Sequence, residues 1–299
     1  MNSSGYCFFE ESELSPTLGI LLLVEFALGL IGNGVVLWVF CFRIPVWNTS
    51  ILYVFNVSLA EFLLIICLPF RAMYYLRGKN WCFGDIPCRI MLFMLSLNRT
   101  ESIFFLTLVV LNRYFKIVHP HHRINMMKSN PGGLVVTFLL WAFIISLTVY
   151  ILLSSHLITE EVANTTLCES FNLNWDGSFI IIWHYVFFVI ELFIPLLIIL
   201  VSGPVHTCTS VKNGPDDRTG SGPFAYVLIR LRSGSICTFS TIIVVISKHS
   251  RTCQLFDISS LVFAVFLALT YFNSVLNPLA IYISSPSFQT ALNTAWNCP

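Results

Sequence analysis

The residue with the most chemical consequence in this sequence is an arginine set inside an apolar run. Cys88–Tyr114 reads CRIMLFMLSLNRTESIFFLTLVVLNRY, with Arg99 in its interior and Arg113 and Tyr114 closing it. The run is long and apolar enough to cross a bilayer, where an ionised side chain is costly and marks a binding site, an ion path or an internal pair. Arg99 follows Cys88 by 11 residues, about 16 Å at 1.5 Å per residue. That depth shields it from bulk water while leaving it within reach from one side. A guanidinium presents a planar fork that fits a carboxylate through two parallel hydrogen bonds. The competing partner is internal, because Glu25, Glu101 and Glu191 also lie in apolar runs. Glu101 is only two residues away and does not share the helix face of Arg99. Taken alone, the residues leave ligand and internal partner equally open.

The elements that hold such a residue must be membrane helices. Of the 299 residues, 56% are hydrophobic and 10% charged, with mean hydropathy +0.80. Soluble domains are about 25% charged, so a water-soluble globule is excluded. The net charge of +1 gives no electrostatic reason for nucleic-acid binding. Six spans are expected near Thr17–Phe42, Ile51–Tyr74, Cys88–Val110, Gly133–Leu153, Phe179–Val201 and Ile258–Ile283. Pro69, Pro195 and Pro278 fall inside them, as membrane helices tolerate when neighbours satisfy the freed carbonyls. Residues 202–249 differ. They are rich in Gly, Pro and Ser, and Arg230 and Arg232 separate the short apolar pieces Phe224–Ile229 and Ile236–Ile246. A seventh span here is weak, yet parity requires one. The polar, acidic Met1–Pro16 carries no basic segment ahead of an apolar run, so no cleavable signal peptide is expected.

Basic residues set the orientation. Arg113, Lys116, Arg123 and Lys128 follow the third span, whereas the N-terminal segment and Ser154–Ser178 contain no Lys or Arg. The positive-inside rule then puts the N-terminus outside, with Arg71, Arg77 and Lys79 expected in an outer loop. The sequons at Asn2 and Asn164 would be glycosylated on that side; those at Asn48, Asn56 and Asn98 read as chance matches. Cys88 and Cys168 would face an oxidising compartment, where a bridge between them would pin a loop over the bundle mouth. Cys7 and Cys253 are a second extracellular pair, with an unbridged Cys7 as the alternative. Cys82 has no evident partner, and Cys298 near the end is a palmitoylation candidate beside the reading of an unmodified thiol. His119, His121 and His122 lack a Cys or carboxylate to close a metal site; no metal or cofactor is expected. No paired Asp, HExxH or Ser-His constellation lies in the spans, so an enzyme is not expected, and the inverted repeats of a transporter are missing.

Gly32-Asn33, Leu59-Ala60-Glu61, Cys88 with Cys168, Asn112-Arg113-Tyr114, Trp141, Pro195 and Asn277-Pro278, in that order, resemble the rhodopsin-like G-protein-coupled receptors. The strings LIICLPFRAMYYLR, FGDIPCRIMLFML, NRYFKIVHPHH, CESF, ALTYFNSVLNP and SSPSF are similar to the hydroxycarboxylic acid receptor subfamily. CLPFR, YYLR and CESF look most like its lactate-binding branch. The likeness covers about residues 17–201 and 253–290 and lapses between them.

The resemblance implies an all-α seven-helix bundle at the plasma membrane: residues 1–16 outside, 17–285 as the receptor domain, 286–299 as a short cytoplasmic tail. It implies a small carboxylate ligand and an inhibitory-type heterotrimeric G protein as partners besides the lipid bilayer. Arg99 would pair with the ligand carboxylate, Ser170 and Phe171 would cap it, and Phe263 and Tyr271 would line the pocket. Asn112, Arg113 and Tyr114 would serve G-protein coupling, although Asn112 stands where an acid is usual. Asn33, Glu61 and Asn277 would form a sodium site in which Glu61 is one methylene longer than the usual Asp. Ile281 holds the place of an expected Tyr, and Tyr282 follows. The expected basic, Pro-kinked sixth helix is not recognisable within 202–249. A reading-frame error confined to that stretch, or a receptor that no longer signals, would account for this.

Overall fold

The structure, a computed structural model, describes residues 14–118, 130–160, 165–168 and 253–296, together with Phe193 and Leu197. The fifth expected span, apart from those two residues, and all of 202–249 lie outside the described residues. The described helices are α1 (Leu14–Phe42), α2 (Thr49–Leu76), α3 (Asp85–Val118), α4 (Asn130–Thr148), its short continuation α5 (Tyr150–Leu153), α6 (Cys253–Ser284) and α7 (Pro286–Trp296). A two-stranded antiparallel hairpin, β1 (Leu157–Glu160) and β2 (Thr165–Cys168), follows α5 and pairs Leu157 with Cys168.

α1, α2, α3 and the α4–α5 stretch are each long and apolar enough to span a bilayer. Their faces divide as that solvent requires. Along α1, Ile20, Val24, Leu28, Ile31, Val35, Trp38 and Phe42 stand exposed at helical spacing, while Leu18, Leu22, Val36, Val39 and Phe40 are buried. In water, so continuous an apolar stripe would drive association; in lipid it is the helix's outer surface.

Local signals place the ends. Asn48 caps α2, its side-chain oxygen accepting the Ile51 N–H at 2.9 Å, which satisfies one orphan donor of the first turn. α2 runs two residues beyond the expected Tyr74 and stops at Arg77 and Gly78, the latter at φ +64°. Glycine enters the left-handed region without a Cβ penalty, the usual way to end a helix. Arg71 is therefore not in an outer loop as expected. It lies inside α2 and is buried at 7% exposure. Hydropathy reads the charge as a span end; the tertiary contacts described below make burial tolerable. Within the segment from 286, Pro286–Trp296 form α7, whose Phe288 is buried against Phe40.

The helices pack closely where side chains are small. A Cβ on Gly29 would lie 2.7 Å from Ile65 Cδ1, and one on Gly32 would lie 2.9 Å from Pro278 Cγ. Small residues at helix interfaces let backbones approach when no hydrophobic force drives association in lipid. Three buried clusters stack along the bundle. One at the hairpin end contains Leu64, Leu68, Tyr74, Trp81 and Tyr271; a middle one contains Tyr53, Leu97, Phe105 and Ile144; the third joins Phe40, Ile51, Ile281 and Phe288.

Candidate functional site

α3 carries the central residues. Cys88 at its start is disulfide-bonded to Cys168 at the end of β2, with Cα atoms 5.8 Å apart. Both cysteines have no solvent exposure. Further bonds moor the hairpin. Trp81 N–H donates to the Thr166 carbonyl at 2.7 Å, and the Asn80 side-chain oxygen accepts the Thr166 N–H at 3.2 Å. Ser155 donates to Asp85 at 2.8 Å; Asp85 also pairs with Arg89, which donates to the Leu152 carbonyl at 3.3 Å.

Arg71 is the deepest of these moorings. Its Nη1 donates to the Cys168 carbonyl and its Nη2 to the Tyr75 hydroxyl, both at 3.2 Å. The guanidinium also lies 5.0 Å from the ring centroids of Tyr74 and Tyr75. A desolvated guanidinium over aromatic faces gains about 2 kcal/mol or more, which offsets part of its burial. Sequence reasoning missed this role. Its available signal was the Arg71…Tyr74-Tyr75 spacing, which puts all three on neighbouring positions of one helix face.

Eleven residues on from Cys88, Arg99 is half-buried in α3. Ser102, one turn deeper, has its hydroxyl oxygen 3.3 Å from both Glu61 Oε1 of α2 and Glu101 Oε2 of its own helix. All three are fully buried. One hydroxyl donates to one acceptor at a time, so Ser102 sits between two carboxyl groups that compete for it. Glu61 and Asn33 were expected together. Gly29 opposes Ile65, and antiparallel packing then sets Asn33 and Glu61 at one depth. Asn33 Nδ2 donates to the Gly29 and Ser274 carbonyls, each at 3.0 Å, and Asn277 is 1% exposed. Ser102 and Glu101 join this polar layer and were not foreseen.

Glu25, a candidate internal partner for Arg99, makes no such pair. It is 2% exposed, and among the described residues neither carboxylate oxygen has a hydrogen-bond partner. Leaving a buried polar group so costs about 1–3 kcal/mol, more if charged. Tyr271 of α6 is 1% exposed. At the far end of α3, Asn112 donates to the Ser50 hydroxyl at 2.7 Å, bracing α3 on α2. Trp141 donates to Asn56 at 2.8 Å across α4 and α2. Asn48 and Asn56 thus spend their side chains on structure.

Several expected residues lie beyond this description. Cys7, Asn2, Asn164, Ser170, Phe171, Glu191, Cys298 and the histidines His119, His121 and His122 are outside the described residues, as are the side chains of Arg113, Tyr114, Cys253 and Phe263. Among the described residues, no three His, Cys, Asp or Glu side chains form a group able to hold a metal.

The sequence matches the family model for the seven-transmembrane receptor of the rhodopsin family over residues 32–282, a range that runs across 202–249. It is 37% identical to the human hydroxycarboxylic acid receptor 3 over 97% of this chain and 76% of the relative. It is 38% identical to the rat hydroxycarboxylic acid receptor 2 over 99% and 83%. To the human hydroxycarboxylic acid receptor 1 it is also 38% identical, over 100% and 85%. Identity at this level is shared among the three and does not choose a ligand.

Proposed function

The chain belongs to the rhodopsin family of seven-transmembrane receptors and is of the hydroxycarboxylic acid receptor type, and on that premise we propose that Arg99 binds the carboxylate of a small hydroxy acid such as lactate. It is a G-protein-coupled receptor, not an enzyme. The observation that carries the reading is the half-buried Arg99 in α3, eleven residues on from the Cys88–Cys168 bridge that moors the hairpin. A guanidinium in a low-dielectric mouth favours an anion that can take both arms of its fork. The relatives' names, which specify hydroxycarboxylic acids, support the same ligand class.

Ser170 and Phe171 cap the ligand, with Phe263 and Tyr271 on its wall. Binding shifts the bundle toward a state that engages an inhibitory-type heterotrimeric G protein through Asn112, Arg113 and Tyr114. Asn33, Glu61 and Asn277, with Ser102 now added, form a cation-binding layer beneath. The receptor resides in the plasma membrane with residues 1–16 outside and the segment from 286 inside, as the Lys and Arg distribution supports. Asn2 and Asn164 carry glycans there, Cys7 bridges Cys253, and Cys298 takes the acyl chain.

A carboxylate panel on cells expressing the chain, repeated with Arg99→Ala, tests the ligand site. The substitution weakens the response about 30-fold or more, the loss typical of a buried charge partner. An unchanged response removes Arg99 from the site. The Gly- and Pro-rich composition of 202–249, with Arg230 and Arg232 inside it, favours one second reading: a chain that binds but does not signal. Carboxylate binding without agonist-driven inhibition of cyclic-AMP formation selects it.

A further inference from the structure

Glu25 is buried, and neither of its carboxylate oxygens has a hydrogen-bond partner. Its direction follows from its neighbours on α1. Leu18 and Leu22 precede it by seven and three residues and join the cluster of Leu64, Leu68 and Tyr271. Gly29 and Gly32 follow by four and seven and press on Ile65 and Pro278. Positions at this spacing share one helix face. Glu25 therefore points into the seam between α2 and α6 and away from lipid. α1 and α6 run parallel, since Leu22 clusters with Tyr271 while Phe40 clusters with Ile281, so Glu25 lies close in depth to Tyr271.

The same contacts relate Glu25 to Arg99. Asn33 and Glu61 share a depth, and Ser102 meets Glu61. Counting from that layer, Glu25 is eight residues and Arg99 three residues nearer the hairpin, a difference of about 7–8 Å. The long arginine stem leans toward the start of its helix, which is the hairpin end, and closes much of that difference. α1 and α3 both pack on α2, so the two heads stand on separate walls.

Resting on the reading of Arg99 as the carboxylate site, we propose that Glu25 is the ligand's second polar contact. It accepts a hydrogen bond from a donor, hydroxyl or ammonium, carried several bonds away from the carboxylate that Arg99 holds. A guanidinium on one wall and an unused acceptor on another complement a molecule with an anionic end and a donor end. An acid without the donor leaves Glu25 unsatisfied in the complex, and a site built around a buried polar group discriminates against an analogue that lacks the matching group. A 2-hydroxy acid places its donor beside the carboxylate and does not reach. Such an acid, lactate among them, is held through Arg99 alone, and Glu25 adds a preference for longer acids whose hydroxyl or ammonium stands several bonds from the carboxylate.

The test uses the full chain in lipid nanodiscs, with affinity read from the ligand-dependent shift in melting temperature. The probes are hexanoate, 6-hydroxyhexanoate, 6-aminohexanoate and lactate. The unaltered chain binds at least one donor-bearing hexanoate about 10-fold or more tightly than hexanoate. Glu25→Leu erases that preference while leaving hexanoate binding in place. Glu25→Gln, the near-isosteric check on folding, keeps the preference for the hydroxyl and loses that for the ammonium if the amine is the natural donor. Arg99→Ala weakens all of the acids. A donor preference that survives in Glu25→Leu, with Arg99→Ala still damaging, overturns the role of Glu25 alone. Arg99→Ala without effect on any acid overturns the carboxylate site beneath it. Failure of the unaltered chain to bind any of the four overturns both.

Discussion

The hairpin end and the middle of the bundle differ in how far their buried polar groups are bonded between elements. At the hairpin end, polar atoms are bonded across elements: Arg71 to Cys168 and Tyr75, Trp81 and Asn80 to Thr166, Ser15 to the Tyr75 carbonyl, with the disulfide locking the whole. Among the described residues, the Asn33 side-chain oxygen and the Ser274 hydroxyl in the middle have no hydrogen-bond partner, nor do the carboxylate oxygens of Glu25 between the two regions, whereas at the hairpin end Arg89 Nε is such an atom. Both regions are buried, so burial alone does not explain the difference. Bonds that cross between elements fix a shape. Buried acceptors held open lower stability and persist where something else satisfies them. The hairpin end is thus the more heavily cross-braced of the two, by a disulfide and hydrogen bonds between elements.

Removing the strongest brace tests this division most severely. Cys88→Ser releases a crosslink spanning 80 residues, worth about 4 kcal/mol in the chain-entropy account. The expected result is a large fall in the melting temperature of the detergent-solubilised receptor, reproduced by reductant. A melting temperature insensitive to both would mean that the hairpin is held by its hydrogen bonds alone. Arg71→Ala comes next, at about 2 kcal/mol, from lost hydrogen bonds and ring contacts. Arg71→Lys should recover little of it, because an ammonium lacks the fork that reaches Cys168 and Tyr75 together. Full recovery by lysine would reduce the role to charge.

Away from the hairpin, smaller effects are expected and their order is informative. Gly32→Ala drives a methyl against the Pro278 ring, whereas Gly29→Ala meets the end of the Ile65 side chain. A proline ring cannot turn aside, so Gly32→Ala costs about 1–3 kcal/mol and Gly29→Ala less; tryptophan fluorescence melts would reveal a reversed order. Ser102→Ala should cost least, about 0.6 kcal/mol, the average for a side-chain hydrogen bond inside a membrane bundle. A much larger loss would show that the hydroxyl holds Glu61 and Glu101 apart as a structural necessity and would move the middle layer toward the braced category.

Much of this arrangement was legible in the sequence because lipid simplifies the code. Long apolar runs had to be helices, and the structure extends α1, α2 and α6 a few residues past the hydropathy limits and carries α3 on from Val110 to Val118. Cys88 with Cys168 announced itself through motif and position, whereas the hydrogen bond of Trp141 to Asn56 did not, since Asn56 read only as a chance sequon. Arg71 did not. Hydropathy assigns a charge near a run's end to the loop, whereas the rings of Tyr74 and Tyr75, the Tyr75 hydroxyl and the Cys168 carbonyl help to offset its burial. Ser102 was unremarkable as a serine in an apolar helix until Glu61 arrived beside it from another helix.

The sequence by itself determined the solvent, the helices, the family of receptors to which the chain belongs and the arginine that stands in the third span. These follow from composition, periodicity and ordered motifs, which are local properties of the chain. Only the tertiary structure decided which buried charges meet. It tied Arg71 to the hairpin, set one hydroxyl between Glu61 and Glu101, and left the Glu25 oxygens without a hydrogen-bond partner among the described residues. The physical reason is that a buried charge is stabilised by the groups that converge on it from other helices, and their convergence is written in packing rather than in neighbouring residues.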